Sequence, residues 1–256
     1  MRIAILSILL VLGGSFFSSR SLAQPLPVKE GPSKPDTLKF TPTALGVEEV
    51  VKNMLNALGA DSLKKVKDRT SVGTFAMHVS DKDGLGSLMT VEEGFAARAD
   101  RMVIVGKQIE HIIDGAHSWR TDSNGAFYEI TGDALKSDLA QAIFNPQLHL
   151  HDKNVVTALL GTAEVDSIGK CYVLKVQFQG VYPSLWYISA KSWLIVQIAQ
   201  PVEGKLLWQK FSDFKVVDGV TYPFAIDVSG VMKFAIRYDH IRHNTNPDPA
   251  TFIPSH

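Results

Sequence analysis

Six apolar β-strands are predicted in succession between Lys170 and Asp239, with no helical periodicity among them. Within each predicted strand every second residue is apolar, as in Leu174, Val176 and Phe178. Side chains two residues apart point to the same face of a strand, so this alternation predicts one broad apolar face on an antiparallel sheet. A face of that size needs a cover, because water would otherwise contact it. The nature of that cover decides what the protein does.

We predict that this apolar face is the wall of a cavity for an apolar ligand. Its members share one phase along the predicted strands. They are Tyr172, Leu174, Val176, Phe178, Trp186, Ile188, Leu194, Val196, Ile198, Phe211, Phe224, Ile226, Phe234 and Ile236. Trp186 is in phase with Ile188 and is the tryptophan best placed to line the wall. An alternative stays open, in which the protein's own side chains fill the cavity.

Two amphipathic helices are predicted, and each is a candidate lid for the apolar face. The first covers Val47–Leu58, where apolar residues recur at helical spacing and Gly59 follows as a cap. The second covers Asp133–Phe144 and is ended by Asn145-Pro146. The lid residues on their apolar sides are Val51, Met54, Leu55, Leu135, Leu139 and Ile143.

Further strands are predicted outside the six-strand block, at residues 70–79, 85–93, 95–105, 108–114, 117–121, 126–130 and 155–165. Turn pairs such as Asp83-Gly84 and Asp218-Gly219 separate some of the strands. Consecutive hairpins without strand–helix–strand alternation predict an α+β, mainly β, fold. We expect a strongly curved antiparallel sheet, an incomplete barrel of about 11 strands, with helices covering its concave face.

The N-terminus has the composition of a secretory signal peptide. A cationic start precedes an apolar run over residues 3–12, and Ser21-Leu22-Ala23 supplies a cleavage pattern, so we expect cleavage after Ala23. Gln24 follows where a lipid-anchored protein would have cysteine, so no lipid anchor is predicted. These features indicate a periplasmic or secreted protein.

Composition also suggests the domain boundaries. Residues 1–23 are the predicted signal peptide, and residues 24–43, which hold five prolines, are a predicted leader or linker. We expect one half-barrel domain over residues 44–245 and a C-terminal tail over residues 246–256. No second apolar run has the length that a membrane span requires, so the chain is not predicted to span a membrane.

Charge, histidine and cysteine content exclude several classes of function. The chain has 26 basic and 26 acidic residues, so no excess positive charge attracts nucleic acid. The pairs His149/His151 and His240/His243 lack a third ligand at zinc spacing. The single cysteine, Cys171, has no adjacent histidine to activate it. We therefore predict no enzyme activity, no catalytic residue, no metal site and no cofactor.

The order of several segments resembles the LolA/LolB-like exported proteins, a family of outer-membrane lipoprotein-sorting or lipoprotein carrier-like proteins. The segments are residues 58–61, Asp114-Gly115 with Trp119, residues 171–174, 185–189 and 193–195, Phe211-x-Asp213-Phe214, and Asp218-Gly219-Val220-x-Tyr222-Pro223. The resemblance covers roughly residues 45–245 as a pattern of strands and turns. It implies an incomplete barrel, closed by helices, around a cavity that accepts acyl chains.

The resemblance implies a periplasmic carrier or binding protein for lipid or acyl-chain ligands, with a role in sorting lipoproteins to the outer membrane. Its partners would be a lipid or the acyl chain of a lipoprotein, and an envelope protein. The family's carrier regulates its cavity through an arginine on an early strand, and Arg69, Arg98 and Arg101 are all candidates here. The alternative is a non-enzymatic accessory or scaffold subunit of a cell-envelope complex, with a self-filled cavity.

Overall fold

The computed structural model describes residues 38–79, 82–104, 106–122, 124–179, 181–202 and 205–254. The predicted signal peptide and residues 24–37 of the predicted leader lie outside them. The described residues fall into two compact units. The first unit contains those in 66–144 and from 235 onward, and the second unit those in 38–65 and 145–234.

The described residues form thirteen β-strands of an antiparallel sheet. The strands are β1 (Asp68–Val79), β2 (Lys82–Glu93), β3 (Ala97–Ile104), β4 (Lys107–Asp114), β5 (Ser118–Thr121), β6 (Phe127–Ile130), β7 (Val155–Val165), β8 (Gly169–Phe178), β9 (Ser184–Ser189), β10 (Ile195–Val202), β11 (Lys205–Val217), β12 (Val220–Ser229) and β13 (Phe234–His243). Their order is β6-β5-β4-β3-β2-β1-β13-β12-β11-β10-β9-β8-β7. This linear order confirms the open, mainly β fold, with 13 strands where the sequence predicts about 11.

The predicted run of six strands is confirmed as β8 to β13, but one predicted turn is wrong. Asp218 and Gly219 form the β11–β12 turn with φ of 49° and 80°, as a two-residue hairpin requires. Gly84, in contrast, lies inside β2 opposite Met77. A Cβ on Gly84 would lie 3.4 Å from side-chain atoms of both Met77 and Ile104, which is an ordinary contact distance, so a residue with a side chain would also fit at this position of the strand.

Three α-helices lie in the described residues: α1 (Val47–Leu58), α2 (Ala60–Leu63) and α3 (Gly132–Gln141). Helix α1 has the predicted bounds, and Gly59 ends it in the left-handed conformation, donating its N–H to Asn56 O at 3.1 Å. Helix α3 ends at Gln141, three residues earlier than predicted. The N–H of Phe144 donates to Phe95 O at 2.9 Å and not to a helix carbonyl.

Candidate functional site

Helix α1 covers the apolar face of the second unit. Its residues Val50, Val51 and Met54 are 0% exposed. Their apolar partners, with which they form the α1 cluster, come from the loop before β7 and from strands β8 to β10. The buried partners are Leu150, Leu174, Val176, Trp186, Ile188 and Ile195. Four predicted wall residues and two predicted lid residues therefore lie in one buried core.

A rim of partly buried apolar side chains surrounds the α1 cluster. Those named from the sequence are Leu55 of the helix and Tyr172, Phe178, Leu194, Ile198 and Phe211 of the sheet. Trp193 stacks on Tyr172, with ring centroids 5.0 Å apart and an interplanar angle of 6°. The buried members of the α1 cluster are closed off from water, whereas the rim residues remain partly accessible.

Helix α1 contacts both β7 and β12, the first and the last strand of the second unit. At its C-terminal end, a Cβ on Gly59 would lie 2.1 Å from Gly219 O. Thr221 Oγ1 also donates to Ala57 O at 3.1 Å. This end of the helix is thus fixed against the β11–β12 hairpin.

Val196 does not share a face with the other predicted wall residues. It lies in a second cluster, with Cys171 and Val173, on the opposite face of the sheet. The pairing of β9 with β10 shifts register between Ile195 and Gln197, and Ile195 joins the α1 cluster in its place. An irregularity of one residue reverses the facing of the side chains that follow it, which periodicity alone does not reveal.

The remaining predicted wall residues lie on β12 and β13. Ile226 pairs with Phe211 and so shares its face. Phe224 is buried, and Lys215 Nζ lies 4.4 Å from the centroid of its ring. Phe234 and Ile236 are partly buried, the former in the second unit and the latter in the first. Their role as a cavity wall, like that of the rim, stays a prediction.

The opposite face of the second unit is a conventional apolar core around Cys171. This thiol is fully buried, and burial, followed by the nearby charge of Glu164, raises its pKa to about 11. Leu38 and Phe40 pack against the same cluster, and Thr41 pairs with Thr162 of β7. A thiol with a raised pKa stays protonated at neutral pH, so Cys171 is placed as a core residue.

The first unit carries a charged network that the sequence did not suggest. It crosses β1 to β5 and reaches α3. Its members, which we call the ionic ladder, are Arg69, Glu92, Arg98, Asp100, His111, Arg120 and Asp138. Arg69 Nε donates to Glu92 Oε2 at 2.8 Å, and Arg98 Nη1 lies 3.6 Å from Glu92 Oε1. Arg98 Nε in turn donates to Asp100 Oδ2 at 2.8 Å.

Cross-strand pairing explains why the ladder is continuous. Asp100 pairs with Thr90 on one side and with His111 on the other, and His111 pairs with Arg120. Thr90 Oγ1 donates to Asp100 Oδ1 at 2.7 Å. Directly opposed residues of neighbouring strands share a face, so residues from four strands form one polar row.

Asp138 ends the ladder in a fully buried position on α3. It is 0% exposed, and it accepts hydrogen bonds from Ser118 Oγ at 2.6 Å and from Arg120 Nη2 at 2.6 and 2.8 Å. His111 Nε2 lies 3.1 Å from Asp138 Oδ2. The predicted lid residues Leu135 and Leu139 of the same helix, and Ile143 just beyond its end, are only partly buried. Within the first unit α3 contacts β5.

The charges of the ladder stabilise one another against burial. Burial alone would raise the pKa of Asp138, but the hydrogen bond from His111 and the charges of His111 and Arg120 outweigh it and lower that pKa. The same balance between burial and Arg98 lowers the pKa of Asp100. For Arg98 itself, burial opposes the charge, and Asp100 and Glu92 raise the pKa of the guanidinium. Asp100, Asp138 and Arg98 are therefore ionised at neutral pH.

The structure separates the three candidate arginines. Arg69 and Arg98 belong to the ionic ladder, and Arg69 also lies over the Phe144 ring, 5.4 Å from its centroid. Arg101 lies on the opposite face, where its Nε donates to Glu110 Oε2 at 2.9 Å. A sequence signal existed in charged residues two apart on one strand, such as Arg98 and Asp100. Alternation does not say which face is buried, so it could not identify the network.

The histidine pair of the loop before β7 lies beside surface carboxylates. His149 Nδ1 lies 2.9 Å from Asp152 Oδ2, and His151 Nδ1 lies 3.6 Å from Glu48 Oε2. No group of three or more His, Cys, Asp or Glu side chains with metal-binding geometry occurs among the residues that the structure describes.

Solved structures similar to this chain share its fold at low sequence identity. A DUF1329 family protein from Desulfovibrio piger has a TM-score of 0.57 at 15% identity, over 81% of this chain and 97% of that chain. A LolA superfamily protein from Nitrosomonas europaea has a TM-score of 0.55 at 13% identity, over 81% and 98% of the two chains. The chain has a LolA-like fold.

A third structure with this LolA-like fold is a domain from Vibrio parahaemolyticus named as an outer membrane lipoprotein-sorting protein, with a TM-score of 0.56 at 10% identity over 81% of this chain and 96% of that chain. A scan against protein-family models finds no match, and neither does a search of curated proteins. None of the helices within the described ranges has the length and hydropathy needed to cross a bilayer.

Proposed function

We propose that the protein is a periplasmic carrier or binding protein for lipid or acyl-chain ligands that acts in lipoprotein sorting. The observation that carries this proposal is the partly buried apolar rim around α1, which includes Tyr172, Leu194 and Phe211. Each methylene moved from water into such a rim contributes about 0.8 kcal/mol, so a long acyl chain lying beside the helix would bind favourably. The LolA-like fold and the predicted export signal support the same proposal.

A specific observation favours the alternative of an accessory or scaffold subunit. Val50, Val51 and Met54 are 0% exposed, so the centre of the apolar face is already filled by the chain's own side chains. In that alternative the rim would contact an envelope protein, and no lipid would enter. In both proposals the protein is not an enzyme, and it is exported to the periplasm with its signal peptide cleaved after Ala23.

Lipid carriage is tested on the full chain, exported and purified without detergent. Native mass spectrometry followed by organic extraction should detect a copurifying lipid, and a dansyl-labelled fatty acid should bind with enhanced fluorescence. Ile198→Gln places a polar group in the rim and should weaken binding by about 5- to 150-fold, because an unpaired amide in an apolar site costs about 1–3 kcal/mol.

Leu185→Gln is the matched control for that variant. Leu185 is also partly buried and apolar, but it belongs to the Cys171 cluster on the opposite face. Equal losses of probe binding in the two variants would count against carriage and for the scaffold alternative. The same holds if the parent protein shows neither copurified lipid nor probe binding.

A further inference from the structure

Helix α3 has little to hold it in place apart from one carboxylate. It is 10 residues long, and isolated helices shorter than about 12 residues are marginal in water. No side chain in the described residues caps its N-terminus at Thr131, and its last turn has no basic residue. Its own sequence therefore supplies little helical stability.

Apolar packing of α3 is also limited. Leu139 and Ala142 pack with Ala96 and Ile113 of the first unit, and Leu135 remains only partly buried. The position that is fully buried is Asp138, which sits where an amphipathic helix would normally place a leucine. On the side of α3 that faces the sheet, the most buried group is therefore a carboxylate.

The groups that contact Asp138 come from two strands, and a third strand supplies the next charge. Ser118 and Arg120 on β5 and His111 on β4 contact its carboxylate directly. Asp100 on β3 is the next charge along the ladder and interacts with His111. Removing one partner of a buried pair leaves the other charge without compensation, so α3 and the ladder depend on each other.

We infer that Asp138 is an electrostatic latch: helix α3 is docked on β5 by its carboxylate, and it detaches as a local unit when that charge is neutralised. Detachment would expose His111, Ser118 and Arg120 to water while the hydrogen-bonded strands beneath keep their pairing. All the groups of this conformational device lie in the first unit, and the inference uses no property of the proposed ligand.

Amide hydrogen exchange of the full chain at neutral pH tests the latch. Asp138→Asn keeps the shape of the side chain and removes its charge. We expect the amides of α3 to exchange at least about a hundredfold faster in this variant, while those of β2 and β3 change less than about threefold. Asp133→Asn is the control, because Asp133 pairs with Lys136 at the surface, through side chains that are 68% and 64% exposed.

A second measurement does not depend on any variant. Exchange of the unaltered chain, corrected for the intrinsic rate, is followed as the pH falls through and below the ordinary carboxyl pKa of 3.8. The latch predicts that α3 loses protection before β2 and β3. Two results would overturn the inference. One is that the amides of α3 stay protected in Asp138→Asn, and the other is that α3 and the strands lose protection together in either experiment.

Discussion

The two units cover their sheet faces by different physical means. In the second unit α1 is docked by apolar side chains, with Val50, Val51 and Met54 fully buried against β8 to β10. In the first unit α3 is docked through Asp138, which is hydrogen-bonded to Ser118 and Arg120. Apolar docking depends on shape and volume, whereas ionic docking depends on charge state and on complete pairing.

This difference separates two kinds of sensitivity in one fold. The docking of α1 is expected to be sensitive to changes of side-chain volume and to competing apolar molecules. The docking of α3 is expected to be sensitive to the loss of one charge and to acid. Four changes distinguish these behaviours, and they follow from the largest expected effect to the smallest.

The largest effect is expected from Arg120→Met. The substitution leaves the buried Asp138 carboxylate without its main cationic partner and should lower the free energy of unfolding by about 3–5 kcal/mol. Guanidinium unfolding followed by circular dichroism measures it. Arg120→Met combined with Asp138→Leu removes both charges and should restore most of that loss. A double variant that loses the sum of the two single effects would show that charge pairing does not dock α3.

Met54→Ala tests the apolar cover. Met54 is 0% exposed at the centre of the α1 cluster, so its truncation leaves a cavity and should cost about 2–5 kcal/mol. The loss should be the same at pH 5 and pH 8, because no charge is involved. Asn56→Ala, at an exposed position of the same helix, should change stability by less than about 0.5 kcal/mol. Equal effects of the two variants would contradict the buried position of Met54.

Gly59→Ala tests the attachment of α1 to the β11–β12 hairpin. Gly59 has φ of 81°, and a Cβ there would lie 2.1 Å from Gly219 O. The strained backbone and the clash should together cost about 1–3 kcal/mol in thermal or chemical unfolding. Gly46→Ala is the control, because nothing lies within 4 Å of a Cβ at Gly46. A stable Gly59→Ala variant would show that the close approach is not required.

Acid is expected to weaken the first unit selectively, as the smallest of the four effects. The pKa values of Asp100 and Asp138 are lowered in the folded state, so their contribution is present above the ordinary carboxyl pKa and is lost as the pH falls through the folded values. Urea unfolding of the parent chain between pH 7 and pH 2 should show this fall. Asp138→Asn should flatten it, and an unchanged slope would remove Asp138 from the explanation.

Much of the fold could be predicted from the sequence because its signals are local. The alternation in β8 to β13 and the helical spacing of Val47–Leu58 follow directly from backbone geometry, and both are confirmed. The turn predicted at Asp83-Gly84 is wrong because both residues pair with β1 inside strand β2, and an Asp-Gly pair does not by itself exclude a strand. Val196 faces the other way because a register shift between Ile195 and Gln197 is invisible to a strict period of two.

By itself, the sequence determined which segments are strands and helices, where α1 ends, and that one broad sheet surface is apolar, because each depends on near neighbours along the chain. Only the tertiary structure decided that α1 fills the centre of that surface and that Arg120 and Asp138 meet. Those contacts join residues far apart in the chain, and a charged residue in a strand or helix carries no local sign of whether a partner will bury it. The apolar face of β8 to β12 is thus a covered surface with a partly accessible rim.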